Sequence, residues 1–541
     1  MGFSSSARSG LHLTCDVLVL GGGPSGTWAA FEAARTGARV VLADKGFCGT
    51  SGATAPSGTS IWYVEPDPKL RAAAIVSREA LGGFLADRAW SARVLETTHA
   101  ALHELGARGY PFPVDGAGNP IRVSLQGPEY MRLMRKLAKG AGVRILDHSP
   151  ALELLVDEAG AVAGARGIRR QQGDGWQVDA GAVVIATGGC AFLSRALGCT
   201  ALTGDGHLMA AEAGADFSGM EFSNAYAIAA DFASVTKTLF FKWATFTDEA
   251  GEVIPGAASN GGRSVIARHL QKGRVFARLD RADAAMQANM RAAQPNFFLP
   301  FDRMGIDPFR DRFPITLHLE GTVRGTGGLR IVDETCATRV PGLYAAGDAA
   351  TRELICGGFT GGGSHNAAWA VSSGRWAGRA AAEFGRRAPN GRVRWGAGTA
   401  GLRDAGARPF DPAEAARTVV GEVHPFDRNY FRTEEGLTRS LDRLDSQWAR
   451  LSASAPADGT NVLRAREAAA MTAVARWMYR SALARTESRG MHRRIDHAAA
   501  DLAQRHLLTA AGLTEVSVSH RPAPPLAADA VEQRSGEGIA A

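Results

Sequence analysis

A glycine-rich turn between an apolar strand and an alanine-rich helix, close to the start of the chain, constrains the fold more than any other sequence feature. The segment CDVLVLGGGPSGTWAAFEAARTGARVVLADKG predicts a buried strand over residues 16–20, a helix to about Arg35, and a second strand over residues 39–43. Asp44 follows the second strand directly. Two apolar strands joined by a glycine turn and a helix predict a βαβ unit with a parallel strand pair.

The spacing Gly21-x-Gly23-x-x-Gly26 indicates what this turn holds. Gly21 permits the tight turn, Gly23 lets the backbone approach a pyrophosphate, and Gly26 lets the helix pack on the strand. Asp44 lies at about the separation at which a carboxylate accepts a hydrogen bond from a ribose hydroxyl. The alternative is a tight turn without a ligand. We predict a dinucleotide-binding site with phosphate at the helix N-terminus.

Composition and charge exclude several other classes of protein. The 541 residues include 61 Lys and Arg against 54 Asp and Glu, a net charge of +7. The arginines are spread along the chain, which argues against a nucleic-acid partner. The six cysteines form no Cys-x-x-Cys pair, so we expect neither a metal nor an iron–sulfur cluster held by this chain alone. No apolar segment suits a secretion signal or a membrane span, so we expect a cytoplasmic protein without direct membrane insertion.

Four further segments carry a family resemblance. They are IATGG near residues 186–189, TGDGHLMAAEAGA at 203–215, GLYAAGDAA at 342–350 and YRSALARTESRGMHRRID at 479–496. Together they resemble the flavoprotein subunits of succinate dehydrogenase, fumarate reductase, L-aspartate oxidase and adenylylsulfate reductase. The segment TSGATAPSGTSIWY and the segment LFFKWATF are most similar to the adenylylsulfate reductase branch.

The resemblance implies an α/β fold with a Rossmann-like FAD-binding domain, made of a doubly wound sheet and a β-meander, an inserted α+β capping domain, and a C-terminal helical region. The expected boundaries are 12–215 and 327–390 for the two parts of the FAD-binding domain, 216–326 for the capping domain, 391–424 for a linker, 425–512 for the C-terminal helical domain and 513–541 for a disordered tail. We expect the meander over residues 151–187, where glycine turns separate short strands.

FAD is the cofactor that the resemblance implies. The residues expected to contact it are Gly21, Gly23, Ser25, Gly26, Asp44, Lys45, Ser51, Gly52, Ala53, Ser57, Gly58, Ala186, Thr187, Gly188, Asp205, Gly347, Asp348, Asn366 and Ala367. Each aspartate has an alternative as a turn or cap residue. Gly52 stands where membrane-bound relatives carry the histidine that bonds to the flavin, so we expect non-covalent FAD.

The stretch GGFTGGGSHNAAW, residues 357–369, places glycines ahead of a helix. By resemblance, this helix points its N-terminus at the flavin pyrimidine, and its dipole stabilises negative charge there. The role of His365 stays open between a ligand contact and local packing.

Three positions depart from the family pattern for dicarboxylate substrates. Gly361, Val323 and Tyr226 stand where relatives carry an arginine and two histidines. A charged hydrogen bond is worth about 1.5–3 kcal/mol, so loss of a bidentate clamp is costly. We therefore expect a protein that is not a succinate dehydrogenase, a fumarate reductase or an L-aspartate oxidase. His318 and Arg324 are candidate replacements, or are incidental.

The segment GGRSVIARHLQKG resembles the family's catalytic segment, and Arg263 matches its first arginine. That role is to supply or stabilise a proton, and the alternative is an arginine on a helix surface. We expect a dehydrogenase or reductase that moves a hydride or two electrons between flavin N5 and a small anionic substrate. A separate ferredoxin-like iron–sulfur subunit would exchange the electrons. The alternatives are an oxidase that uses O₂ and a flavin-binding module with little turnover.

Overall fold

The computed structural model describes residues 10–360, 364–389, 391–402, 409–456 and 462–526. Its strands are β1 (Leu11–Leu20), β2 (Val40–Ala43), β3 (Gly58–Ser60), β4 (Ser124–Gln126), β5 (Arg144–Leu146), β6 (Ala151–Val156), β7 (Val162–Arg169), β8 (Asp174–Ile185), β9 (Phe217–Ser218), β10 (Ala225–Ala230), β11 (Thr245–Thr247), β12 (Val275–Arg278), β13 (Phe313–Glu320), β14 (Gly328–Leu329), β15 (Leu343–Ala345), β16 (Trp395–Gly396), β17 (Pro409–Phe410), β18 (Ala455–Pro456), β19 (His506–Ala511) and β20 (Ser517–Pro522).

The α-helices are α1 (Pro24–Arg35), α2 (Pro68–Glu79), α3 (Arg88–Ala107), α4 (Gly127–Gly140), α5 (Asp205–Glu212), α6 (Arg263–Leu270), α7 (Ala284–Ala293), α8 (Pro295–Met304), α9 (Gly321–Arg324), α10 (Glu353–Cys356), α11 (His365–Arg387), α12 (Pro412–Val423), α13 (Glu434–Ala453) and α14 (Val462–Ala484). Within the described residues, no helix is both long enough and apolar enough to cross a bilayer.

The largest sheet carries the predicted βαβ unit. Its strand order is β16-β6-β7-β8-β1-β2-β5, and β15 pairs with β8 off this path. Strand β1 is parallel to β2 and β8, whereas β6, β7 and β8 form the predicted antiparallel meander. The α/β fold class is confirmed. Strand β1 starts at Leu11, earlier than expected, because its first residues pair with Trp176 and its neighbours on β8.

Helix α11 packs closely on α1 and fixes the position of the glycine turn. Gly374 and Gly378 of α11 face the backbone of α1, where a Cβ atom would overlap the carbonyl oxygens of Ser25 and Ala29. Glycine at these two positions lets the helix axes approach more closely than side chains would allow.

A second sheet, with the order β10-β13-β12-β11, lies in the segment predicted to cap the site. Its pairs are antiparallel, and α6, α7 and α8 belong to the same segment. Phenylalanines fill the space between the helices and this sheet; for example, the ring centroids of Phe301 and Phe313 are 4.8 Å apart. The segment therefore has its own apolar core.

The C-terminal region is not purely helical, and part of the predicted disordered tail is a strand. Strands β19 and β20 form an antiparallel pair, and β19 also pairs with β9 in a sheet of order β14-β9-β19-β20. The surrounding proline and alanine favoured disorder, but β19 supplies the hydrogen-bonding partner that the local sequence does not reveal. Residues 527–541 lie outside the described part of the chain.

The predicted linker over 391–424 also contains regular structure. Strand β16 pairs with β6, and α12 occupies the second half of the segment. Asp411 caps α12 by accepting a hydrogen bond from Ala413 N at 2.8 Å, and Pro412 follows at the first helical position. These are ordinary helix-start signals that the glycine and arginine content of the segment obscured.

Buried ion pairs hold the C-terminal region against the rest of the molecule. Arg485 pairs with Glu221 at 2.8 Å and with Glu487 at 2.9 Å, and all three side chains are fully buried. Arg489 pairs with Glu487 at 2.6 Å and donates to Gly83 O at 2.7 Å. The segment is therefore a structural brace.

Candidate functional site

A cavity of about 600 Å³ lies between the large sheet and the predicted cap. Among the residues expected to contact the cofactor, those that line it are Gly21, Gly23, Ser25, Asp44, Lys45, Ser51, Gly52, Ala53, Gly58, Ala186, Thr187, Gly188, Asp205, Asp348, Asn366 and Ala367. The structure thus brings together segments that are up to several hundred residues apart in sequence.

Three of the expected residues do not line this cavity and lie behind its wall: Gly26, Ser57 and Gly347. A Cβ atom on Gly26 would overlap Gly21 O, and one on Gly347 would overlap the Ser25 hydroxyl. Gly347 has a φ of +65°, a conformation that favours glycine. Ser57 is buried in the loop before β3.

Asp44 links the second strand to the glycine turn. Its carboxylate accepts hydrogen bonds from Gly22 N at 2.5 Å, Gly46 N at 2.7 Å and the Ser51 hydroxyl at 2.7 Å. The side chain is 5% exposed, and it lines the cavity. The predicted acid therefore organises two loops of the site.

Lys45 is held by two carboxylates, one of which sequence reasoning missed. Its ammonium group lies 2.7 Å from Asp205 Oδ2 and 2.7 Å from Glu467 Oε1, and it also donates to Thr203 Oγ1. Burial alone would lower the pKa of Lys45, but the two carboxylates raise it overall. Glu467 lies on α14, and no local motif connects it with this site.

Asp348 is held by a second missed residue, Arg352. The two form an ion pair one helical turn apart, and Arg352 also donates to Thr322 O at 2.9 Å and Val323 O at 3.2 Å. Burial raises the pKa of Asp348, and the charge of Arg352 opposes this rise. The spacing of an acid and an arginine four residues apart was the one available signal.

The start of α11 meets the short helix α9. Asn366 Nδ2 donates to Val323 O at 2.9 Å, and both residues line the cavity. His365 is fully buried with its ring centroid 4.5 Å from that of Trp62. This contact favours local packing for His365. Gly361, one of the three departures from the family pattern, lies outside the described residues.

Arg263 begins α6 and does not belong to the cavity wall that the described residues form. Its side chain donates to Ser259 O at 2.9 Å and to Tyr226 O at 3.3 Å. Burial, together with the charge of Arg324, lowers the pKa of Arg263 to about 10. Arg324 itself lines the cavity.

Two other positions singled out by the sequence point away from the cavity. The Tyr226 hydroxyl donates to Val423 O and His424 O, both at 3.0 Å, and its ring packs on Phe426. His318 lies on β13, with Nε2 3.3 Å from Ala233 O, and burial lowers its pKa. Neither residue is among those that line the cavity.

Residues of the cap form one part of the cavity wall, and most of them were not singled out from the sequence. The lining residues from this segment are Lys237, Thr238, Leu239, Phe240, Lys242, Ala293, Gln294, Val323 and Arg324. Hydrogen bonds tie the cap to the loop before β3: Lys237 donates to Ala53 O, and Asn296 Nδ2 donates to Pro56 O at 3.1 Å. The cap is therefore closed on this loop.

The residues present fit FAD. At Gly23 and Gly52 no atom lies within 4 Å of where a Cβ would stand, so open space adjoins the backbone at the turn and at the expected flavin loop. The cavity runs past the glycine turn and the Asp44 carboxylate as far as the cap, so it offers room for a dinucleotide. Bound FAD would supply two-electron redox chemistry.

Two family models match the chain. The model described as FAD binding domain matches residues 16–226, and the model described as Fumarate reductase flavoprotein C-term matches residues 421–523. The first confirms the prediction of FAD as the cofactor. The second extends past residue 513, where the tail was expected to begin, in agreement with strand β20.

Similar curated proteins are L-aspartate oxidases. The enzyme of Streptomyces coelicolor is 25% identical over 91% of this chain and 90% of its own length. That of Rhodospirillum rubrum is 30% identical over 56% of this chain and 95% of its own length.

Solved structures share the fold at low identity. An E. coli quinol fumarate reductase is 20% identical with a TM-score of 0.80, covering 95% of this chain and 97% of that one. Adenylylsulfate reductase from Archaeoglobus fulgidus is 19% identical with a TM-score of 0.76, covering 96% and 99%. Both likenesses concern the fold alone. Because the family models match both the nucleotide-binding and the C-terminal regions, and the Rhodospirillum protein is matched over nearly its whole length, the chain belongs to the succinate dehydrogenase and fumarate reductase flavoprotein family and is an FAD-dependent oxidoreductase.

Proposed function

We propose that this oxidoreductase acts on a small anionic substrate bound between the cap and FAD, and that it exchanges electrons with a separate ferredoxin-like iron–sulfur protein. The observation that carries the proposal is the continuity of one cavity from the glycine turn to a cap wall with Lys237 and Arg324. A cationic wall beside a redox cofactor suits an anion.

The chain's own residues would bind and orient this substrate while the closed cap excludes water. Arg324 lines the cavity, and Arg263, which does not line it, interacts electrostatically with Arg324. An arginine is a weak acid in water, so we assign Arg263 the role of stabilising negative charge through Arg324, and not of direct proton donation. Its predicted contact with the reacting atoms remains a prediction.

The separate electron partner is supported by the cysteines of this chain. All six are free and buried, and burial raises the pKa of Cys48 and of Cys199 to about 12. Because the six cysteines also form no Cys-x-x-Cys pair, we assign the cluster to another chain. Free thiols also favour the cytoplasm as the location.

Oxidation of L-aspartate with O₂ is the second candidate, and the names of the curated relatives favour it. Against it, Val323 places an aliphatic side chain at the cavity, and the Tyr226 hydroxyl is already bound to two carbonyl oxygens. These are two of the three positions where the resemblance calls for substrate ligands.

The visible spectrum of the purified protein, before and after acid precipitation, tests the cofactor. We expect the yellow colour in the supernatant, because no histidine stands at Gly52 to bond the flavin. A colourless protein that cannot be reconstituted with FAD would contradict the proposal, and a yellow pellet would show covalent attachment.

Reoxidation of the photoreduced protein separates the electron acceptors. Slow reoxidation by O₂ over many minutes, and fast reoxidation by an added ferredoxin, are the expected results. Rapid peroxide formation with L-aspartate would establish the oxidase instead. A flavoprotein inert towards both acceptors would favour a binding module with little turnover.

A further inference from the structure

We propose that Lys237 and Arg324 together recognise the oxoanion head group of the substrate, a carboxylate or a sulfonate carried on an apolar body. This inference rests on the proposed function and names the substrate class of the same site. No motif in the sequence identified Lys237, and the sequence left Arg324 open between a replacement substrate ligand and an incidental residue.

Arg324 is held in place by a buried carboxylate. It ends α9, its side chain is 18% exposed, and it lies 3.1 Å from Glu320, which is fully buried. Glu320 also accepts a hydrogen bond from Thr236 at 2.6 Å. Because Glu320 is fixed on one side, the guanidinium group is oriented and keeps donors for a ligand in the cavity.

Lys237 is oriented by the carbonyl oxygen of Ala53. A lysine ammonium group has three donors, so this bond leaves capacity for an anion. Within the described part of the chain, no carboxylate forms an ion pair with Lys237, although it lines the cavity. Lys45, by contrast, is neutralised by Asp205 and Glu467.

Lys237 and Arg324 lie near each other at the cap end of the cavity. Burial raises the pKa of the Cys199 thiol to about 12, and the charges of both Lys237 and Arg324 oppose that rise. Arg263 adds a third positive charge nearby, since Arg324 acts on its pKa. Two carboxylates face these groups: Glu320 pairs with Arg324, and Asp348, whose charge interacts with that of Lys237, pairs with Arg352. The cap end of the cavity therefore carries excess positive charge, which an anion would neutralise.

The cavity wall also includes apolar side chains. Val323, Leu202 and Phe240 line the cavity, and so does Leu239, which is 58% exposed. A large apolar side chain exposed at a cavity favours a ligand with an apolar body. Lys242 and Arg78 also line the cavity, and they extend its positive charge beyond the proposed pair.

Binding of three isosteric probes to the FAD-loaded protein tests the inference. The probes are butyrate, propane-1-sulfonate and the neutral butyramide, and binding is measured by calorimetry and by the shift of the visible flavin spectrum. We expect at least one anion to bind, and butyramide to bind about tenfold more weakly or worse, because it offers no charge. The preferred anion then identifies the head group as planar or tetrahedral.

Arg324→Met and Lys237→Met should each weaken binding of the preferred anion about tenfold or more, whereas Arg324→Lys should lose less because it keeps the charge. Arg310→Met is the matched control, since Arg310 lies on the same cap with 86% of its side chain exposed. Retained flavin absorbance shows that each variant has kept its fold.

Equal binding of butyrate and butyramide, no binding of either anion, or unchanged binding in both folded methionine variants would overturn the inference. A protein that binds no flavin would instead overturn the proposed function. Calorimetry would still measure whether Lys237 and Arg324 contribute to binding of the anions. The two failures are thus distinguishable.

Discussion

Asp44 is the residue at which the glycine turn, the second strand and the cavity meet. Its carboxylate holds the backbone N–H groups of Gly22 and Gly46 together with the Ser51 hydroxyl. It therefore organises the protein even before it contacts a ribose.

Asp44→Ala should weaken FAD binding about tenfold or more, because each buried donor left without an acceptor costs about 1–3 kcal/mol. Fluorescence titration of the apoprotein with FAD measures the loss. Asp302→Ala, on α8 with 52% of its side chain exposed, should bind FAD as the parent does. Equal affinities of the two variants would show that Asp44 is dispensable.

Individual residues also show how much of the site could be predicted from the sequence. The place of Gly21, Gly23 and Asp44 at the cavity was predictable because a strand, a turn and a helix that follow one another bring them together locally. Glu467 was not, because it approaches Lys45 only after α14 has packed on the first domain. Lys237 was missed for the same reason, since its role depends on closure of the cap.

Among the elements, the contact of α11 with α1 sets the geometry of the site. The glycine-rich segment predicted a helix that begins at the cofactor, and α11 begins at the wall of the cavity. The tight approach of the two helices was not foreseen, because a glycine inside a helix indicates a lower propensity and does not by itself indicate a partner.

Gly378→Ala should lower the free energy of unfolding by about 2 kcal/mol, because the new methyl group overlaps the carbonyl of Ala29 and forces α1 to shift. Gly421→Ala is the matched control, for it lies in α12 with nothing within 4 Å of the added carbon. It should be neutral or stabilise the protein by up to about 1 kcal/mol. Denaturant unfolding measures the free energy of unfolding of both variants. Equal changes in this free energy would contradict the packing argument.

The last strands show how an element can be hidden from the sequence. Strand β20 has mostly polar and exposed residues, and among the described strands it pairs with β19. The segment was predicted to be disordered because its sequence lacks the alternating apolar residues that indicate a strand. Its order depends on long-range pairing and on Arg521, which reaches Glu353 at 3.1 Å.

At the scale of the whole molecule, the ion pair between Arg521 and Glu353 joins the C-terminal sheet to α10, the helix that follows Asp348. Glu353 is 1% exposed; it contacts Ser218 of β9 and Arg521 of β20, and feels the charges of Glu221 and Arg485. Burial raises the pKa of Glu353 from 4.5 to about 7 despite Arg521. The folded protein therefore binds this proton more tightly than the unfolded chain does.

The contribution of this group to stability is fully present below about pH 4.5 and is lost as the pH rises to about 7, a change of roughly 3 kcal/mol. Glu353→Gln cannot titrate, so the difference in unfolding free energy between the parent and this variant should shift by that amount across the window. Urea unfolding between pH 4.5 and 8 measures it. Parallel pH profiles would show that Glu353 ionises normally.

The wall of the cavity includes residues from Leu20 to Ala370, and this spread has a consequence for biosynthesis. At about 5–20 residues per second, the ribosome adds the last of these residues roughly 20–70 seconds after the first. The N-terminal βαβ unit must wait in the nascent chain, with its glycine turn formed but its cap and α11 absent. Cofactor capture is consequently a late event, and the newly made chain must avoid aggregation through that interval without the stabilisation that bound FAD provides.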